Sequence, residues 1–166
     1  KKVLLLCKMS TWNCNTFWAQ GGIASAVDES DIPAHIQDTL TAGVNYNDKE
    51  AVELLSKKSV SSIKNLIADG MKFDLNDNGE LAYTKEAAHS RNRISHADGD
   101  ATGRIMHLFL LEQCEHAIVT ESVVCDLLIK DDICYGVQYF ISETEQKVAF
   151  AHTTIIASGG VGSIYR

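Results

Sequence analysis

The chain is short of several things, and each shortage closes a class of function. Lysine and arginine total 15 against 22 aspartates and glutamates, a formal charge of -7. Lys57-Lys58 is the longest internal cationic run, so the clustered basic surface that nucleic-acid phosphates require is missing and no nucleic-acid partner is expected. The five cysteines, at 7, 14, 114, 125 and 134, form no C-x-x-C pair. That spacing nominates no zinc or iron–sulfur site and reads as thiols of a reducing cytoplasm. No apolar run reaches membrane-spanning length and no secretory leader is visible, which predicts a soluble, cytoplasmic protein without a membrane partner. Proline occurs once, as Pro33, where a first helical turn accepts it. G-x-G-x-x-G is also absent: Gly160-Val161-Gly162 comes nearest, and Tyr165 stands where the third glycine belongs.

What is present is material for a core. A hydrophobic content of 45% in 166 residues suits one domain, or one and a part. Val3-Leu4-Leu5-Leu6 reads as a buried strand. Residues 35–42 read as a short helix ended by Gly43, and a long helix follows to about Asp69, capped by Asn47 or Asp48. Its predicted inner face is Val52, Leu55, Val60, Ile63, Leu66 and Ile67. The oxygen-rich stretch 74–80 has no glutamate at the closing distance of a calcium loop. It reads instead as a hairpin turn, with Asn78-Gly79 as the turn pair. After the polar run 84–96, Asp100 or Thr102 is expected to cap a helix reaching about Glu115 and buried through Ile105, Leu108, Phe109 and Leu111. Strands are expected at 118–129, 134–142 and 147–150, then a buried strand at 153–157 running into a glycine turn.

One stretch fits generic core poorly: Asn15-Thr16-Phe17-Trp18-Ala19-Gln20-Gly21-Gly22. The glycine pair removes two Cβ atoms where backbone can approach a large planar ligand. Asn15, Thr16 and Gln20 add hydrogen-bonding groups, and Phe17, Trp18 and Ala19 an apolar lining, the mixture of a pocket wall. As a bare loop the segment has a simpler reading, a turn entering a helix. Its context favours the cradle, because a hydrophobic strand ending in Cys7-Lys8 precedes it.

The order of strand, lysine, polar linker and N-T-x-x-A-Q-G-G-I-A resembles the fumarate reductase and aspartate oxidase family of FAD-dependent flavoproteins. The likeness recurs at residues 86–90, 100–103 and 157–160. It implies an α/β fold: a partial FAD-binding Rossmann-like domain with helical segments and a three-stranded β-meander, spanning 1–166 and truncated at both ends. On that reading residues 1–8 are already the second strand, the pyrophosphate loop lies upstream, and Lys8 takes the place usually held by the acidic ribose-binding residue. The implied FAD contacts are Lys8, Asn15, Thr16, Phe17, Trp18, Ala19, Gln20, Gly21, Gly22, Val124, Ser158, Gly159 and Gly160. The succinate and fumarate enzymes of the family attach flavin through a histidine at the position of Asn15, so the resemblance implies noncovalent FAD here.

The branch is read at Glu86-Ala87-Ala88-His89-Ser90. The family's oxidases carry E-G-G-H-S with a substrate-orienting glutamate, where the succinate enzymes have glutamine. Glu86 keeps the acid, and both glycines are replaced. An ionised Glu86 suits the ammonium of L-aspartate through a charge-assisted bond and repels succinate. The implied reaction is oxidation of L-aspartate to iminosuccinate, the first step of de novo NAD biosynthesis, with electrons passed to oxygen or fumarate and product to quinolinate synthase. A fumarate reductase or succinate dehydrogenase flavoprotein without its covalent link, and a non-catalytic α/β module, are the competing readings. In the family the carboxylate-binding histidine and arginines lie downstream of residue 166. Arg91, Arg93 and His96 therefore read as helix-approach and surface charges, and residues 1–166 alone are expected to bind FAD weakly and not to turn over.

Overall fold

The computed structural model describes residues 2–113 and 117–160, apart from the side chains of Ala117 and Val119. The chain divides into two compact units, residues 1–13 with 115–166 and residues 14–114.

The first unit opens with β1 (Leu4–Leu6), paired in parallel with β5 (Ala117–Val119). The strand expected at residues 3–6 exists, but Leu4 and Leu5 are 41% and 39% exposed, so it is not the buried strand its composition suggests. The single strand expected over 118–129 is two. Glu121 adopts φ +56 between β5 and β6 (Val123–Lys130), and this left-handed residue interrupts the extended backbone. β6, β7 (Ile133–Phe140) and β8 (Gln146–Phe150) form the antiparallel meander foreseen from the period-two pattern. Asp131 and Asp132 turn β6 into β7 with φ +50 and +61, the two-residue geometry that matches strand twist. The buried strand expected at 153–157 does not form: Ile155 and Ile156 are 85% and 68% exposed, and no strand pairs with them among the described residues. A continuous apolar run needs neighbours on both faces to be a buried strand, and composition alone cannot supply them. Val161 and Gly162 lie outside the described residues.

The second unit carries most of the core. α1 (Asn15–Trp18) is one turn, and β2 (Ile23–Ala24) follows the glycine pair. α2 (Ile32–Ala42) has Pro33 in its first turn and ends at Gly43. α3 (Lys49–Ala68) is capped by the Asp48 carboxylate, which accepts the Ala51 N–H at 3.0 Å. Val52, Ser56, Val60 and Ile63 form its buried stripe, whereas Leu55 is 66% exposed and Ile67 faces outward. The small Ser56, not Leu55, occupies the centre of the stripe, because residues four apart stack along one face.

Residues 74–82 make the expected hairpin turn, closed by the Leu75–Leu81 bridge and by the Asn76 N–H bonding to the Glu80 carbonyl. Among the described residues no cluster of His, Cys, Asp or Glu is arranged to hold a metal. β3 (Tyr83–Thr84) and β2 flank β4 (Ile94–Ser95) in a short antiparallel sheet. Ile63, Met71, Phe73 and Ala97 make the main cluster, joined by Ile105, Met106 and Phe109 of α4 (Thr102–Glu112). Leu108, expected inside, is 44% exposed, and residues 114–116 lie outside the described part.

Candidate functional site

The cradle is positioned by α4, and in a way that overturns the capping expectation. Neither Asp100 nor Thr102 caps that helix: its N-cap is Ala101, without a side-chain bond. Thr102 Oγ1 instead accepts the Ala97 N–H at 3.0 Å inside the unit. Gly103 donates its N–H to the Ala19 carbonyl at 3.1 Å. A Cβ at Gly103 would collide with the Thr16 carbonyl and come within 2.6 Å of the Ala19 carbonyl and 2.7 Å of its Cβ. Thr-Gly therefore serves as a docking plate for the backbone of α1, because these neighbours are main chain and cannot rotate away.

Gly103→Ala is expected to force α1 off α4, costing about 1–3 kcal/mol by overpacking. Comparing the melting temperature of the variant with that of the parent reads the loss.

Docked in this way, α1 displays its side chains. Asn15, Thr16, Trp18, Ala19 and Gln20 are exposed and Phe17 is half-buried. Asn15, Thr16 and Gln20 have no side-chain hydrogen-bond partner among the described residues. The Phe17 ring stands edge-on to Trp18 at 5.2 Å and to His107 at 5.7 Å, which fixes the aromatic side of the wall. Cys14 Sγ lies 3.6 Å from His107 Nδ1 beneath it.

The two glycines do different work. Gly22 is glycine for the protein's own sake: a Cβ there would lie 2.5 Å from Ile94 Cγ2 and the Ser95 carbonyl and 3.1 Å from His96 Cε1. Gly21 has φ +70, and its missing Cβ would look toward Glu86 Oε1 at 3.6 Å. The sequence reading gave both to the ligand, but β4 already fills the space beside Gly22. Gly21 and Glu86, 65 positions apart in sequence, are thus neighbours.

Glu86 is exposed and joins no ion pair among the described residues. Its turn is closed by the His89 N–H bonding to the Glu86 carbonyl at 3.1 Å. Neither Ala87 nor Ala88 has positive φ, so the family's glycines are replaced without a strained backbone. His96 bonds Thr84 Oγ1 through Nε2 at 2.7 Å and the Gly99 carbonyl through Nδ1 at 3.1 Å.

Sequence reasoning missed the ionic network behind this turn. Arg93, expected at the surface, is 0% exposed. Its Nε and Nη2 donate to the two oxygens of Asp31 at 3.0 and 2.9 Å, and Nη1 donates to Asp38 Oδ2. Arg91 remains the surface charge it was expected to be, 57% exposed and 3.7 Å from Asp31. The Arg93 guanidinium holds the Asp31 carboxyl below the usual aspartate range against the opposing effect of burial. Burial pushes the Asp38 carboxyl up, but bonds from the Ser90 amide, Arg93 and the Ser90 hydroxyl prevail and bring it to about 2. His35, buried beside them with Nδ1 unpartnered, is pushed down by burial and by the nearby cations. The one local hint is that Asp31 and Asp38 are seven apart, two helical turns along one face, which pairs the carboxylates without saying which arginine meets them.

Lys8, Val124, Ser158, Gly159 and Gly160 belong to the first unit and are all exposed. There the Ser122 N–H bonds the Cys7 carbonyl at 3.0 Å, which brings the chain at Lys8 beside the start of β6, two residues before Val124.

An FAD fits this donor set: exposed amide and hydroxyl side chains for the polar edge of the ring system, an indole and a phenyl beside them, and a glycine that lets backbone come close. The chain is 40% identical to an L-aspartate oxidase of Clostridium acetobutylicum over 99% of its own length and 38% of that protein's. It is 38% identical to an L-aspartate oxidase of Bacillus subtilis over 99% of this chain and 32% of the relative. It spans about a third of the length of these relatives. Among solved structures, a quinol-fumarate reductase superposes with TM-score 0.88 at 23% identity, covering 99% of this chain and 30% of the other. Mycobacterium smegmatis Sdh1 gives 0.86 at 24%, covering 97% and 30%. These two likenesses concern the fold. All of residues 1–166 match the FAD binding domain, and the chain belongs to that FAD-binding family.

Proposed function

We propose that this chain is the flavin-holding part of an enzyme that oxidises L-aspartate to iminosuccinate. The observation that carries the reading is the Glu86 carboxylate set 3.6 Å from where a Gly21 side chain would begin. It puts an unpaired anion beside the backbone that is to approach the flavin. FAD held there would supply the hydride acceptor for the substrate α-carbon, with oxygen or fumarate as the final electron acceptor. Asn15 through Gln20 hold and orient the ring system. On the first unit, Lys8, Val124, Ser158, Gly159 and Gly160 are the FAD contacts that the family resemblance implies. Glu86 accepts a charge-assisted hydrogen bond from the α-ammonium, which fixes the α-carbon and disfavours a dicarboxylate without that group. As the hydride leaves the α-carbon the ammonium nitrogen gives one proton to solvent and the C=N bond forms, so that the product leaves as protonated iminosuccinate and atoms and charge balance.

A histidine at the Asn15 position would permit a covalent flavin link; asparagine does not. The product is an unstable imine, suited to quick consumption by a quinolinate-forming partner. The free thiols Cys14, Cys125 and Cys134 support a reducing, cytoplasmic setting. Among the described residues no helix is long and apolar enough to cross a membrane.

The test uses the FAD-loaded enzyme that carries this chain. Anaerobic L-aspartate is expected to bleach the flavin absorbance, and acid precipitation to release the flavin into the supernatant. Bleaching by succinate and not by L-aspartate, or flavin retained in the precipitate, overturns the reading.

A further inference from the structure

We infer that Asp38 is a positioning residue for Glu86: through Ser90 and Arg93 it ties the turn that carries the substrate-orienting carboxylate to the face of α2. This deepens the L-aspartate reading and rests on it. One oxygen, Asp38 Oδ2, gathers three donors: the Ser90 N–H at 2.7 Å, the Ser90 hydroxyl at 2.7 Å and Arg93 Nη1. All three belong to the segment that follows Glu86. Ser90 closes the turn's far side, and Arg93 Nη1 also donates to His89 Nδ1 at 3.1 Å. His89 in turn donates its backbone N–H to the Glu86 carbonyl. Every residue from Glu86 to Arg93 that touches this network is therefore held from one side. The other end is firm, since Arg93 is bound at both Asp31 oxygens and α2 packs through Ile32 and Ile36 onto Val60 of α3.

The chemistry gives the tie its strength. An ionised acceptor makes shorter, stronger bonds than a neutral one. The Asp38 side chain is only 15% exposed, so water competes little for its oxygen. The tie also answers a local need. Ala87 and Ala88 carry no polar side-chain groups, so the turn is anchored beyond them, through His89 and Ser90, and without that anchor the exposed Glu86 carboxylate at its start would sample many positions.

Two variants of the FAD-loaded enzyme test this: Asp38→Ala and Asp38→Asn. Hydrogen exchange at the Ser90 amide is expected to quicken by about tenfold or more in Asp38→Ala, with a smaller change in Asp38→Asn, whose side-chain oxygen still accepts. Amides of α3 should keep their parental rates, which separates local release from unfolding. In kinetics, Asp38→Ala is expected to raise KM for L-aspartate more than it lowers kcat. Combined with Glu86→Gln it should add little further loss of discrimination between L-aspartate and succinate, because a tie to an absent carboxylate has nothing left to position. Unchanged exchange at Ser90, or losses that simply add in the double variant, overturns the proposal. If the parent does not oxidise L-aspartate, the substrate reading fails by itself. Ser90 exchange then decides the anchoring: faster in Asp38→Ala supports it, unchanged refutes it.

Discussion

Arg93→Met is expected to lower unfolding stability by about 3–5 kcal/mol, the range for removing one partner of a buried ion pair. The reason is what stays behind. Asp31 is 2% exposed and would lose both guanidinium bonds, and Asp38 would lose one of its three donors. The two carboxylates would then share a site with no buried cation among the described residues, since Arg91 is more than half exposed and only skirts Asp31. Methionine fills comparable volume, so the loss measures charge and hydrogen bonding more than packing. Denaturant unfolding of parent and variant reads the difference.

Acid behaviour gives a second, signed readout of the same substitution. In the folded protein Asp38 titrates near 2 instead of the ordinary 3.8, and Asp31 is also lowered. Groups lowered on folding contribute stability that is complete above 3.8 and is lost as pH falls through the folded value. The parent should therefore weaken steeply between pH 3.8 and about 2. Without Arg93 the carboxyls keep less of that shift, and the variant's stability should fall less over the same window. A variant with the parental slope would mean that Arg93 does not set these titrations.

Glu86→Gln is expected to reduce kcat/KM for L-aspartate by about 10- to 150-fold, the equivalent of the 1.5–3 kcal/mol that a hydrogen bond to a charged group contributes. Glutamine keeps the shape and one acceptor oxygen, so the loss isolates the charge. The same change removes a repulsion against succinate, and the ratio of rates for the two substrates should move further than either rate alone. Stability should hardly respond, because Glu86 is exposed and unpaired. Equal losses for both substrates would show that Glu86 does not read the ammonium.

Much of this molecule was legible in its residues because the signals were local. Asp48 announces α3, Pro33 opens α2, Asp131-Asp132 turns the meander, and Asn15, Thr16, Trp18, Ala19 and Gln20, poor material for a core, are exposed. What sequence reasoning misplaced depended on distant partners. Residues 153–157 look like a buried strand until one asks which strand lies beside them. Gly22 looks free for a ligand until β4 is in place. Arg93 and Arg91 share a polar stretch and similar neighbours, yet one is enclosed and the other is not. Only the fold brings Asp31 and Asp38 up to the enclosed one, and a charge run gives no hint of which member will find a counter-ion 55 or 62 positions away.

The four residues of α1 are too few to be helical unaided, since isolated helices shorter than about 12 residues are marginal in water. Their conformation is borrowed from the helix on which they rest, and that helix is seated by Ile105, Met106 and Phe109. In the proposed reading, where α1 holds the flavin, interior repacking and cofactor affinity become a single heritable trait. A lineage that reshapes its oily centre would then retune its grip on flavin without altering a residue that touches it.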